Sequence, residues 1–157
     1  MRIKGILDED FVNYKLPNMF ISSAVCSFKC DKENGANVCQ NSSLANQETF
    51  DISDYELVQR YLKNDITQAV CIAGLEPFDQ FDELMHFVKE YRHYTKDPLV
   101  IYTGYYKYEI EDKINKLKLY QNIIVKYGRF KPNQNKHFDD VLGVFLTSDG
   151  QYAEKIS

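Results

Sequence analysis

Four short apolar runs recur along the chain: "MFISSAV" (residues 19–25), "AVCIA" (69–73), "LVIYT" (99–103) and "NIIVKY" (122–127). Near-continuous apolar runs of this length suit strands buried on both faces of a parallel sheet. The segments between them have helical spacing instead. In "SDYELVQRYLK", Ser53 and Glu56 form a capping-box pattern, and Leu57, Val58, Tyr61 and Leu62 supply an apolar face. Phe81, Leu84, Met85, Val88 and Tyr91 repeat at one-turn spacing, with Asp79 the expected N-cap. Ile110, Ile114 and Leu117 make a third stripe.

The order strand, long loop, helix, strand, helix, strand, helix, strand predicts βαβ crossovers and an α/β fold. Four or five such strands are too few for a closed eight-stranded barrel, so a partial (open) parallel βα barrel is expected. No repeat, low-complexity tract or linker divides the sequence, which predicts a single domain over residues 1–157. In parallel α/β architectures the reacting groups sit on loops that follow the C-terminal ends of strands. Here those loops are residues 26–41, 74–78, 103–105 and 128–133.

Composition narrows the function classes. A chain of 157 residues with 44% hydrophobic residues can bury a core without disulfide staples. A formal net charge of −4 makes nucleic acid an unexpected partner. Lys107, Lys113, Lys116 and Lys118, on an expected helix, read as a solvated face. No run of eighteen apolar residues is present, so no membrane span is expected. The start "MRIKGILDEDF" lacks the apolar core and cleavage site of a signal peptide. A cytoplasmic location is therefore expected, where thiols stay reduced.

Against that background, "CSFKCDKENGANVC" holds three of the four cysteines at C-x3-C-x8-C spacing. Three readings are open. A disulfide set is opposed by the expected compartment and by core size. A structural zinc site needs four ligands, commonly in paired C-x2-C knuckles; there is no second knuckle, though His137 could complete the set in principle. An iron–sulfur cluster is held by thiolates, and three of them on a four-iron cube leave one iron open, as a catalytic centre needs. Asn34, Gly35, Ala36 and Asn37 let the backbone wrap such a group. Cys71, inside an expected strand, reads as a small core residue.

Taken in order, "MFISSAVCSFKC…CQNS", "AGLEPFDQFDEL", "IYTGY", "IIVKYGRF" and "TSDGQ" resemble the radical S-adenosylmethionine activases of glycyl-radical enzymes, above all those serving anaerobic ribonucleotide reductase. The resemblance covers roughly residues 5–152. It implies that Cys26, Cys30 and Cys39 ligate a [4Fe-4S] cluster. It also implies that Gly74, Leu75, Glu76 and Pro77 receive the amino group of S-adenosyl-L-methionine, with Glu76 as the key carboxylate. Thr103, Gly104 and Tyr105 look like the family's "TGY" turn, with Thr103 toward the ribose or carboxylate. Tyr105 and Phe28 would pack the adenine, and Arg129 would meet a carboxylate or a partner. Gly128, Arg129 and Phe130 resemble "DGKF", and Ser148 with Gln151 resembles "SSNQ". The implied partners are a glycyl-radical enzyme and a flavodoxin- or ferredoxin-like electron donor.

The chain departs from that family in three places. Six extra residues separate Cys30 from Cys39 relative to the usual C-x3-C-x2-C, Leu75 replaces a glycine, and Tyr127 stands where aspartate is usual. The longer loop is tolerable, because each doubling of length costs only about 0.6 kcal/mol in closure entropy. Leu75 keeps the backbone contacts provided its φ is negative.

Overall fold

All four apolar runs are strands, and they lie side by side in parallel. The computed structural model describes residues Met1–Ser157. In chain order the elements are β1 (Arg2–Asp10), β2 (Asn18–Ser23), α1 (Lys29–Asn34), α2 (Ser42–Ala45), β3 (Phe50–Asp51), α3 (Asp54–Leu62) and β4 (Ala69–Gly74). Then follow α4 (Phe81–Tyr94), β5 (Leu99–Tyr102), α5 (Glu111–Leu117), β6 (Ile123–Tyr127), β7 (His137–Asp139), β8 (Val144–Leu146) and β9 (Tyr152–Lys155). Seven strands form one sheet in the order β3-β1-β2-β4-β5-β6-β9, and β7 and β8 form a separate hairpin. The fold is mixed α/β. Its four central strands are parallel, whereas β1, β3 and β9 run antiparallel to their neighbours.

Register explains why the central runs are apolar throughout. One face of the sheet, with Met19, Ile21, Val70, Ile72, Leu99, Ile101, Ile123 and Val125, packs under α3, α4 and α5. The alternate positions Ala69, Cys71, Ala73, Val100 and Ile124 face a second core with Tyr14, Leu142 and Leu146. No helix covers that second face. The segment after β1 and the β7–β8 hairpin close it, tied by Lys15 N–H to the Leu142 carbonyl (2.8 Å) and Tyr102 Oη–H to the Asn13 carbonyl (2.6 Å). Cys71 is fully buried there, as its setting in a strand suggested.

Helix α3 starts on the expected capping box: Ser53 Oγ accepts the Glu56 amide, and the Glu56 carboxylate accepts the Ser53 amide. Leu57, Val58 and Tyr61 are buried as expected, but Leu62 is exposed at the helix end. Asp79 is not the N-cap of α4. A 3-10 turn, Pro77–Gln80, precedes that helix, and Glu76 caps the turn by accepting the Phe78 amide. Proline favours this arrangement, since it has no N–H to satisfy at a helical first turn. Lys107 and Lys118 lie outside α5, and Lys107 pairs with Glu154 at 2.7 Å.

Candidate metal centre

Each of the four expected loops delivers side chains to one cleft of about 340 Å³ at the C-terminal ends of β2, β4, β5 and β6. That is the size range of small-ligand sites, about 300–1,000 Å³. Cys26, Cys30, Cys39, Gly74, Leu75, Glu76, Thr103 and Gly104 all line it.

The cysteine segment is shaped by local bonds. Glu76 N–H donates to the Val25 carbonyl (2.7 Å), which stitches the residue before Cys26 to the end of β4. Ser27 N–H donates to Asp79 Oδ2 (2.6 Å). Phe28 then takes a left-handed conformation, φ 51 and ψ 44, a costly one for a bulky residue, and its amide points back at Cys26 Sγ (3.3 Å). This corner launches α1, which carries Cys30, where a loop was expected. Gly35, at φ 64, ends that helix in the left-handed position that favours glycine.

The extra residues before Cys39 are held by Asp31. Its Oδ1 accepts the amides of Val38 and Cys39, both at 2.8 Å, so the residue beside the second thiol orients the third. Asn41 Nδ2 donates to the Gly74 carbonyl (2.7 Å) and ties the far end of the loop to β4. Gly74 itself has φ 81, and a β-carbon there would lie 2.9 Å from Leu44 Cδ2 and 3.1 Å from Ser22 Cβ. Leu75 avoids the left-handed region, the condition set for it to keep a glycine's backbone contacts, and its side chain is buried.

Glu76 is 7% exposed and committed inward. Oε1 accepts Phe78 N–H (3.1 Å) and Thr103 Oγ1–H (2.7 Å), and Oε2 accepts Gly104 N–H (2.8 Å). Burial raises its carboxyl to about 7, against the pull of those three donors. Both glutamate and thiol reach the Gly104 backbone: a β-carbon on Gly104 would stand 3.4 Å from Cys30 Sγ and 3.5 Å from Glu76 Oε2. Burial, chiefly, also pushes the Cys26 thiol up to about 12 and the Cys39 thiol upward, so their ionisation calls for a positive charge close by.

Several implied contacts fall elsewhere. The Thr103 hydroxyl is spent between Glu76 Oε1 and the Tyr105 amide (3.0 Å). Neither Phe28 nor Tyr105 lines the cleft; Tyr105 lies under the Lys29 ammonium, 4.1 Å from its ring centre. Arg129 is 5% exposed and built into the wall. It donates to the Gly104 carbonyl, pairs with Glu109 (2.7 Å) and lies 3.0 Å from Glu33, while Lys131 reaches Glu33 at 3.1 Å. Against the upward push of burial, the Arg129 guanidinium, the Tyr106 amide and the Lys29 ammonium hold the Glu109 carboxyl at about 2. His137 sits in β7 with its Nε2 2.8 Å from the Gln151 carbonyl, apart from the thiols. Ser148 exchanges bonds with Lys131, while Gln151 reaches the cleft.

Sequence reasoning passed over Lys126, Asp31 and Asn41. The signal for Lys126 was present: a lysine inside an otherwise apolar strand, 7% exposed and pointing into the cleft.

The donor set fits a cluster. All four cysteines are free, and three line one cavity. No three His, Cys, Asp or Glu side chains crowd closely enough to hold a single metal ion. In a cluster each thiolate binds a different iron, and thiolates are the donors such a group takes. Three free thiols on one cleft are the donor type that an iron–sulfur cluster takes. Residues 18–143 match the family model of the 4Fe-4S single cluster domain, and the chain belongs to that family. No curated protein and no solved structure matches it. No helix is long and apolar enough to cross a membrane.

Proposed function

We propose that the chain is a radical S-adenosylmethionine enzyme whose [4Fe-4S] cluster, held by Cys26, Cys30 and Cys39, serves reductive cleavage of S-adenosyl-L-methionine. The observation that carries this reading is the convergence of three free thiols and the buried Glu76 carboxylate on one cleft at the strand ends. When bound, the cluster supplies one electron and an open iron for an amino-acid chelate.

The chain's own residues do the rest. Glu76 Oε2, which accepts only one internal hydrogen bond, keeps a lone pair for an ammonium group, and such a cation favours the ionised carboxylate. Gly104 leaves room above that oxygen where a side chain would intrude. Tyr102, Phe20, Val144 and Phe145 give the cleft an apolar wall. Phe11, Val12 and Phe145 are exposed, and the last two line the cleft. An apolar margin of this kind supports a macromolecular substrate, a glycyl-radical enzyme of the anaerobic ribonucleotide reductase type, with a flavodoxin- or ferredoxin-like protein as reductant. The architecture this reading implies is the partial parallel βα barrel of radical S-adenosylmethionine enzymes; the four parallel strands with the site at their C-terminal ends support it.

The test is anaerobic reconstitution with iron and sulfide, followed by S-adenosylmethionine and dithionite. Formation of 5′-deoxyadenosine is expected, together with a glycyl electron-spin signal when the partner is added. Cofactor cleavage without that signal assigns another peptide or small-molecule substrate. A second reading, a non-catalytic cluster scaffold, is favoured by the three internal hydrogen bonds that Glu76 already accepts. A full cluster with no 5′-deoxyadenosine selects it.

A further inference from the structure

Among the residues lining the cleft, Lys126 is the only cation. It lies on β6 in register with Tyr102 of β5, and its backbone carbonyl accepts the Thr103 amide at 2.8 Å. The side chain therefore stands beside the turn that brings Cys30 and Glu76 together. Its ammonium makes one hydrogen bond, to the Gly128 carbonyl at 3.2 Å, and lies 5.8 Å from the Tyr102 ring centre. It forms no ion pair, although the chain has eight others. An ammonium has three donors, so two are unspent in a site that is 7% exposed. A buried charge with no partner is costly and calls for a counter-charge in the assembled protein.

The cleft's function supplies one. Three thiolates outweigh the positive charge of an oxidised four-iron cube, so the loaded ensemble is anionic, and more so after it accepts an electron. We infer that Lys126 is the counter-charge of this cluster and that it holds the reduction potential above the value an uncharged cleft would give. Net charge and hydrogen bonds to sulfur are the terms by which a protein sets such potentials. Glu76, the carboxylate of the same lining, acts with the opposite sign. Lys126 is accordingly a positioning and tuning residue. The inference rests on the cluster and is independent of S-adenosylmethionine cleavage.

The experiment is a spin-resonance-monitored redox titration of the reconstituted protein without S-adenosylmethionine. Wild type is compared with Lys126→Arg, Lys126→Gln and Lys126→Met, with iron counted per chain. The expected result is a midpoint shifted to more negative potential in Lys126→Gln and Lys126→Met, with Lys126→Arg close to wild type. Glutamine can still donate to the Gly128 carbonyl, so it separates charge from packing if the methionine variant does not fold. A folded Lys126→Gln protein that loses its cluster while Lys126→Arg keeps it also supports the inference. An unchanged midpoint in Lys126→Gln overturns it, as does equal loss of cluster from the glutamine and arginine variants. Failure of the wild type to take up a cluster would instead remove the cluster reading itself.

Discussion

The carboxylate of Asp31 accepts the backbone amide of Cys39 at 2.8 Å, so the chain places its third thiol from the residue adjoining its second. The same oxygen holds Val38 and closes the lengthened loop into a fixed shape. Asp31→Ala is expected to fold normally yet retain less iron per chain after reconstitution and desalting. Asp31→Asn, which keeps an acceptor oxygen, should restore most of it. Equal iron in wild type and alanine variant would show that the loop closes without this bond.

Cys39→Ala removes one donor from the cleft, whereas Cys71→Ala removes a thiol buried against Val100 and Ile124. The first variant should lose the brown visible absorbance of the cluster. The second should keep it, at a stability cost of about 1 kcal/mol from the small cavity. Visible spectra with iron analysis separate the two.

Stability of the iron-free chain should depend on pH through Glu76. Its carboxyl lies near 7 when folded, against an ordinary 4.5. The folded chain thus retains a proton that the unfolded chain releases across that interval. The contribution is fully present below pH 4.5 and declines as pH rises toward about 7, by on the order of 3 kcal/mol at most. Urea midpoints should fall across this window in wild type and stay flatter in Glu76→Gln. Parallel slopes in the two proteins would assign the effect to other groups.

Gly74→Ala should destabilise the fold by about 1–3 kcal/mol, since alanine must adopt a left-handed conformation there. Adding Leu44→Ala relieves the 2.9 Å approach to Leu44 Cδ2 but leaves the backbone strain. Denaturant unfolding of single and double variants should therefore show partial rescue. Full rescue would mean that crowding alone excludes a side chain.

The parallel core was legible because residues such as Ile72, Ile101 and Val125 are buried on one sheet face while their neighbours are buried on the other, which leaves an unbroken apolar run. Strand β1 was hidden for the converse reason: of "RIKGILDED" only Ile3 and Asp10 are buried, so pairing without burial carries no periodic signal. The short strands β3, β7, β8 and β9 were hidden likewise. The cysteines stood out by their spacing and Glu76 through the resemblance of its motif, and all four side chains line the cleft. The inward commitment of Thr103 and Arg129 was not, because it depends on partners such as Glu109 and Tyr105 that only folding brings close. Asp79 looked like a cap until Pro77 moved the helix start and freed it for Ser27 and Tyr105.

Helix α1 grips the opposite rim through charges at both of its ends: Lys29 to Glu109 at 3.1 Å, and Glu33 to Arg129 and Lys131. Moving α1 away from that rim means parting these ions. Dissolved electrolyte screens Lys29 and Lys131, whose side chains are each 39% exposed, but scarcely touches Arg129 at 5%. The seam between α1 and that rim thus slackens at its outer stitches in brine while its innermost knot stays tied.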